Sequence, residues 1–285
     1  MDINFLSVLT GLTVLGATSG VLGVFALLRR KALLSDTLAH AALPGICIAY
    51  LLGGKQLGWL LAGAFASGML GVGAVSLITH RTRLKEDTAL AITLAVFFGF
   101  GIVLLTGIQR RGDGYQSGLD RFLFGQAAAL LPHEVLWLTV ACLIILLVLV
   151  GLFKEFALLC FDREYAQAIG LPVRLLDGLL MGLIALLVVL GLQGAGALLM
   201  VALMVTPAAA ARLCTARLSP MVALSALFGA TAGIGSVWVS ALYGRLPTGP
   251  VMVLFASGLF LLAFLYGLLR RGTGRWQRVK EEQFR

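Results

Sequence analysis

The stretch "SDTLAHAALPG", residues 35–45, holds the side chains best suited to chemistry in this chain. Asp36 and His40 stand four residues apart, so on a helix they project from one face about a turn from each other. A carboxylate with an imidazole is a ligand set for divalent manganese, iron, zinc or cobalt. Two ligands are too few for a tight cage, which suits a transit site that must also release its ion. Pro44 has no N–H to give to the carbonyl of residue 40, which leaves that oxygen for an ion or a water. Cys47, seven residues beyond His40, continues the stripe as a weaker candidate that would soften the site towards zinc. The plain alternative for Cys47 is a small apolar core residue. For Asp36 and His40 it is a structural hydrogen bond between helices.

The surroundings make the pair conspicuous. Of 285 residues, 60% are hydrophobic and only 12% charged, and the mean hydropathy is +1.00. Soluble domains carry about 25% charged residues, so this composition defines a polytopic membrane protein. Among its 13 acidic residues, Asp36 alone is embedded in an apolar span. His40 is the one embedded histidine, since His80 and His133 lie at span edges. A carboxylate at the centre of a bilayer costs on the order of 3 kcal/mol, and intramembrane ionisable groups are functional by default.

Apolar runs near the length needed to cross a bilayer fall at 5–28, 33–52, 57–79, 88–108, 132–153, 177–192, 196–213, 220–242 and 249–269. The boundary at 193–196 is weak and requires a very tight turn or broken helices, so the number of spans is eight or nine. All are expected to be α-helical, because a closed barrel would show short alternating strands and none are evident. Residues 1–285 form a single transmembrane domain on this reading. Seventeen of the 22 Lys and Arg fall in 29–31, 80–87, 154–176, Arg212 with Arg217, and the tail from Arg270. The positive-inside rule then places the N-terminus outside and the C-terminus in the cytoplasm. The net charge of +9 is accounted for by those segments, and the tail "RRGTGRWQRVK" is read as facing lipid headgroups, with no nucleic-acid role. No cleavable signal peptide is evident, since Asp2 stands where a basic region would precede the first apolar run. The four cysteines, Cys47, Cys142, Cys160 and Cys214, lack CxxC spacing and read as buried thiols.

Two connections are long enough to act. The outer one, 109–131, has an apolar second half that suits a re-entrant or interfacial helix. The cytoplasmic one, 154–176, places Ala166, Ile169 and Gly170 at helical spacing beside charges, which suits a short amphipathic helix on the membrane face. Gly170 and Pro172 then turn the chain into the next span. This segment is either an interfacial connector or a docking element for a soluble partner.

These same residues carry a family resemblance. "SDTLAHAALPGICIAYLL" resembles the second-helix signature G-D-(A/S)-x-S-H-A-x-L-P-G of the permease subunits of ABC importers for zinc, manganese and iron. "FDREYAQAIGLPVRLLDGLL" is similar to that family's cytoplasmic coupling segment, and "LQGAGALLMVALMVTPAAAARLC", "LPTGPVMVL" and "SGLDRFLFGQ" follow its pattern. Ser35 stands where Gly is common and Ala39 where Ser is common, and neither removes a candidate ligand. The resemblance implies a prokaryotic cell-membrane permease that works as a homodimer. Its expected partners are two cytoplasmic ATP-binding subunits and an extracellular or periplasmic metal-binding protein. No permanently bound cofactor is expected. Manganese, zinc or iron would pass Asp36 and His40 along the dimer axis. The ATPase contact would fall on 161–176, notably Asp162, Glu164, Ala166, Gly170 and Pro172. The chain contains no G-x-x-x-x-G-K-[ST] phosphate loop, so ATP hydrolysis is expected in the separate subunit.

Two other classes use similar residues. A proton-coupled secondary metal transporter or channel would also place Asp and His in a span, but it usually shows internal repeats, and no convincing one is visible. An intramembrane hydrolase would need a motif such as HExxH, of which His133–Glu134 is a two-residue fragment.

Overall fold

The computed structural model describes residues 3–54, 56–110, 131–194, 196–243 and 246–271. Among these residues every regular element is an α-helix: α1 (Ile3–Leu28), α2 (Leu34–Gly53), α3 (Leu57–Arg81), α4 (Glu86–Arg110), α5 (Pro132–Gly151), α6 (Phe153–Phe161), α7 (Arg163–Ala168), α8 (Val173–Gly194), α9 (Ala197–Cys214), α10 (Leu218–Tyr243) and α11 (Thr248–Arg271). Eight of them are long and apolar enough to cross a membrane; the ninth apolar stretch, Leu199–Cys214 in α9, is shorter. The weak boundary resolves as a tight turn in which Gly196 takes φ +86 just before α9.

Helix α1 is the axis of one group, packing on α10, α5 and α9, while α2 lies between α3 and α4. Helices α8 and α9 touch both groups. One continuous core runs through them, from Leu15, Leu22 and Phe25 of α1 to Leu38 and Ile46 of α2 and Leu180, Ile184 and Val188 of α8. The tightest seam joins α1 to α10. A Cβ at Gly16 would collide with the Gly229 carbonyl, one at Gly20 with the Ser225 carbonyl, and one at Gly233 with that of Leu12. The pairing of 12 with 233, 16 with 229 and 20 with 225 makes the two helices antiparallel. In a bilayer, where lipid is as apolar as leucine, such small-residue contact replaces the hydrophobic effect as the source of helix adhesion.

The ends of the helices sort by charge. Arg29 at the end of α1 and Lys31 in the following turn meet Asp177 of α8, and Lys31 also faces Glu86 at the start of α4. Val24 of α1 packs with Ala208 and Ala211 of α9 and Met221 of α10 at this same end. Basic segments 29–31, 80–87, 154–176 and 212–217 therefore gather on one side of the bundle. Helix α9, whose Met200 meets Gly191 near the end of α8, runs back towards that side.

The connection after α5 differs from the sequence reading. Leu152 breaks the helix with φ −103 and ψ 25, and a separate helix α6 follows. Phe153 and Phe156 pack on Phe25 of α1, with ring centroids 6.0 and 5.8 Å away. The outer connection expected to hold a re-entrant helix lies, for 111–130, outside the described residues.

Candidate metal-pathway site

Helix α2 starts at Leu34 and continues through Pro44 to Gly53. Asp36 therefore sits in its first turn rather than deep within it. The positive end of the helix dipole favours a carboxylate there, which lowers the cost of keeping one near lipid. Most of α2 is buried, including Ser35, Thr37, Leu38 and Ala39 around the acid. Close packing holds it in place: Gly45 and Gly63 bring the backbones of α2 and α3 together, and Ser67 Oγ donates to the Ala41 carbonyl at 2.6 Å.

What remains uncovered lies at its two ends: Leu33, Asp36 and His40 at the start, with Asp36 and His40 partly exposed, and Ile48, Tyr50, Leu51 and Leu52 at the other, while residues 41–47 between them are all buried. His40 Nε2 lies 3.5 Å from Asp36 Oδ1, with side chains 15% and 38% exposed. That separation is longer than the roughly 3.2 Å limit of a good N–H···O bond, so the pair is aligned without being closed on itself. The imidazole is held instead by Phe98 of α4, edge on, with ring centroids 4.8 Å apart. Phe98 gave no signal in the sequence, because one phenylalanine in an apolar run looks like any other. Cys47 is fully buried, with Sγ 3.8 Å from the Gly101 carbonyl of α4. It packs against α4, in the stretch of α2 that is buried throughout. Among the described residues no group of three or more His, Cys, Asp or Glu side chains comes together. One chain thus presents two candidate ligands.

The segment 161–176, the candidate ATPase contact, folds locally as its residues dictate. Asp162 caps α7, its Oδ1 accepting the Tyr165 N–H at 2.8 Å, as an N-cap aspartate does. Glu164 stands exposed in the first turn. Ala166 is fully buried and is the one residue of α7 that faces the protein. Ile169, expected on the same face, is instead 53% exposed, because α7 ends at Ala168 before a further turn can bring it round. Gly170 takes φ +85 and Pro172 precedes α8, its carbonyl accepting the N–H groups of Leu175 and Leu176. Phe161 and Tyr165 also stand exposed here, at 67% and 55%. The fragment His133–Glu134 has a structural use: Glu134 Oε2 accepts the Leu131 N–H at 2.9 Å and caps α5.

A bundle of membrane-length helices, with a carboxylate and an imidazole partly open at the start of one of them, is the build of a multi-pass membrane permease. The model of the ABC 3 transport family matches residues 2–267. The chain is 46% identical over 259 residues to the manganese transport system membrane protein MntC of Bacillus subtilis, covering 90% of this chain and 60% of that one. It is 40% identical over 267 residues to the zinc transport system membrane protein TroC of Treponema pallidum, covering 93% and 90%. Among solved structures it is similar to PsaBC from Streptococcus pneumoniae in complex with Fab, with TM-score 0.81, 31% identity, and 93% and 92% of the two chains covered. The chain belongs to the ABC 3 transport family, as a bacterial multi-pass permease subunit and not the ATPase, and the relatives it matches are membrane proteins of manganese and zinc transport systems.

Proposed function

We propose that this permease carries divalent manganese, zinc or iron into the cytoplasm past Asp36 and His40, as a homodimer whose α2 helices face each other across the pathway. The observation that carries this reading is the partly open start of α2. A helix whose middle is buried throughout leaves its acid and its histidine partly exposed, side by side, one turn apart. A second copy of that pair would complete a set of two carboxylates and two imidazoles, enough for a divalent ion. The gathering of basic segments on one side supports a cytoplasmic C-terminus and an outer N-terminus. The ATP-binding subunit would dock on 161–176, where Phe161, Tyr165 and Ile169 are apolar or aromatic side chains exposed beside Asp162 and Glu164. An extracellular or periplasmic metal-binding protein would deliver the ion at the opposite face.

Uptake of manganese and zinc into proteoliposomes holding the complex tests the site. Asp36→Asn keeps size and hydrogen bonding but removes the charge that attracts a cation, and His40→Gln removes the imidazole. Each is expected to abolish or sharply reduce uptake while the complex assembles at wild-type thermal stability. A structural pair would behave oppositely, because a neutral amide near lipid is easier to bury. Wild-type uptake by Asp36→Asn would remove the ligand assignment.

A further inference from the structure

A second cluster of charge lies away from the Asp36–His40 pair, and the transport reading does not use it. Asp177 Oδ1 lies 2.8 Å from Arg29 Nη2 and 3.6 Å from Lys31 Nζ, and its Oδ2 lies 4.0 Å from Arg163 Nη1. Lys31 Nζ also lies 3.7 Å from Glu86 Oε1, and Arg29 Nη1 donates to the Leu159 carbonyl at 3.2 Å. One carboxylate is thus reached from the end of α1, from the turn before α2 and from α7. We infer that Lys31 and Asp177 form a positioning link that carries displacement of the coupling segment to the first turn of α2. The inference rests on the reading of 161–176 as the ATPase contact.

The cluster has a firm centre and a loose rim. The side chains of Lys31, Arg29 and Asp177 are 7, 13 and 14% exposed, whereas those of Glu86 and Arg163 are 41 and 46% exposed. Charges withdrawn from water attract strongly and are costly to separate, so the inner three move together. The rim contacts can lengthen and re-form at little cost.

Lys31 is fixed at both ends of its backbone. Arg30 takes the left-handed φ of 59, which lets the Lys31 N–H reach the Ala26 carbonyl at 2.8 Å and close α1, the geometry of a Schellman-type end. The Lys31 carbonyl then accepts the Leu34 N–H at 3.1 Å and opens α2. Asp36 follows two residues later. On the other side, Asp177 lies near the start of α8, which α7 enters through the short turn at Gly170 and Pro172. Movement of α7 therefore shifts Asp177, and Lys31 transmits the shift to the turn that bears Asp36.

The test uses the complex with its co-purified ATP-binding subunit and reads α2 without reference to metal. Leu33, exposed near Lys31 in the turn that opens α2, is replaced by cysteine in a Cys160→Ser, Cys214→Ser background. Its alkylation rate is then compared between nucleotide-free and vanadate-trapped complex. The rate is expected to change about fivefold in the parent, to change less than about twofold in Lys31→Met, and to recover its response in Lys31→Arg. Lys31→Gln carries the same test should the methionine variant not fold. A response that survives in Lys31→Met or Lys31→Gln, with only the thermal midpoint lowered, would overturn the link and leave the cluster a structural brace. No response in a parent complex that retains its ATPase also overturns it. Failure of the parent to retain the ATPase is a different result, which removes the docking reading and the link together.

Discussion

Helix α1 is held at two places by opposite means. Along Leu12, Gly16 and Gly20 it meets α10 backbone to backbone, with no room for a single added carbon. At its end, Arg29 and the following Lys31 meet α8 and α4 through charges 2.8 to 3.7 Å apart. Close-packed contact has a steep, short-ranged potential and permits one geometry. Ion pairs fall off slowly with distance, so the exposed contacts to Glu86 and Arg163 can lengthen without being lost while the three buried charges move together. The seam is thus built to stay and the charged end to shift. The candidate metal ligands stand beside the end that can shift.

Breaking the seam should have the largest effect. Gly16→Val would drive a branched side chain into the Gly229 carbonyl and the Met252 side chain. Overpacking costs about 1–3 kcal/mol and occasionally more, and a clash with backbone lies at the upper end because no rotamer change relieves it. The variant is expected to yield no monodisperse folded protein in detergent. A Gly16→Val chain with normal elution and melting would mean the seam is far looser than its contacts indicate.

Next comes the charged end. Asp177→Ala leaves Arg29 largely buried without its counter-ion and Lys31 with only the more exposed Glu86, a change worth about 3–5 kcal/mol. It should lower the thermal midpoint strongly, whereas Lys31→Met, which keeps the 2.8 Å Arg29–Asp177 pair, should lower it by much less. Equal midpoints for the two variants would contradict the short Arg29–Asp177 pair as the main contact of the charged end.

Gly170 and Gly16 are the same residue type required for different reasons. A Cβ at Gly170 would meet nothing within 4 Å, but its φ of +85 strains any L side chain. That strain is on the order of 1–2 kcal/mol, borne by the turn between α7 and α8 alone. Gly170→Val should insert and fold, and should weaken either association with the ATP-binding subunit or coupling of its ATP turnover to transport. Normal metal-dependent ATP turnover in that complex would count against a docking role for the segment.

What the sequence disclosed and what it hid follow the same division between local and distant causes. Apolar length marked the spans, and the four-residue spacing of Asp36 and His40 put them on one face, because both are properties of neighbouring residues. The cap at Asp162 and the turn at Gly170–Pro172 are equally local. Helix α6 was hidden, since its reason is the packing of Phe153 and Phe156 on Phe25, more than a hundred residues earlier. The pairing of Arg29 with Asp177 spans 148 residues, and in the chain both looked like ordinary charges at span edges. The position of Cys47 was ambiguous for a related reason: helical spacing gives a side chain's direction but not which neighbour covers it. The start of α2 was legible as well: the apolar run from residue 33 and the helix from Leu34 agree to one residue, which puts Asp36 in the first turn.

The smallest expected effect reports on the charged end from a residue that takes no part in it. Burial pushes the Cys160 thiol up to about 11, with Arg29 lowering it and Asp177 raising it by smaller amounts. Only the thiolate reacts with an alkylating reagent. In a Cys214→Ser background, Cys160 should therefore react slowly at neutral pH, with a rate rising about tenfold per pH unit to pH 10 and no plateau. An ordinary exposed thiol, with a pKa of about 8.5, would level off well before that. The same shift affects stability: the folded chain holds the proton more tightly than the unfolded chain, so Cys160 contributes stability below the unfolded pKa and loses it as pH rises towards 11. Asp177→Asn removes a charge that raises this pKa and leaves Arg29 to lower it, so the rate–pH curve should move to lower pH. A displacement to higher pH would show that Asp177 acts on Cys160 chiefly by holding Arg29 close, because losing that cation would outweigh losing the acid. The direction of this shift therefore tells whether the arginine stays in place when its carboxylate partner is neutralised.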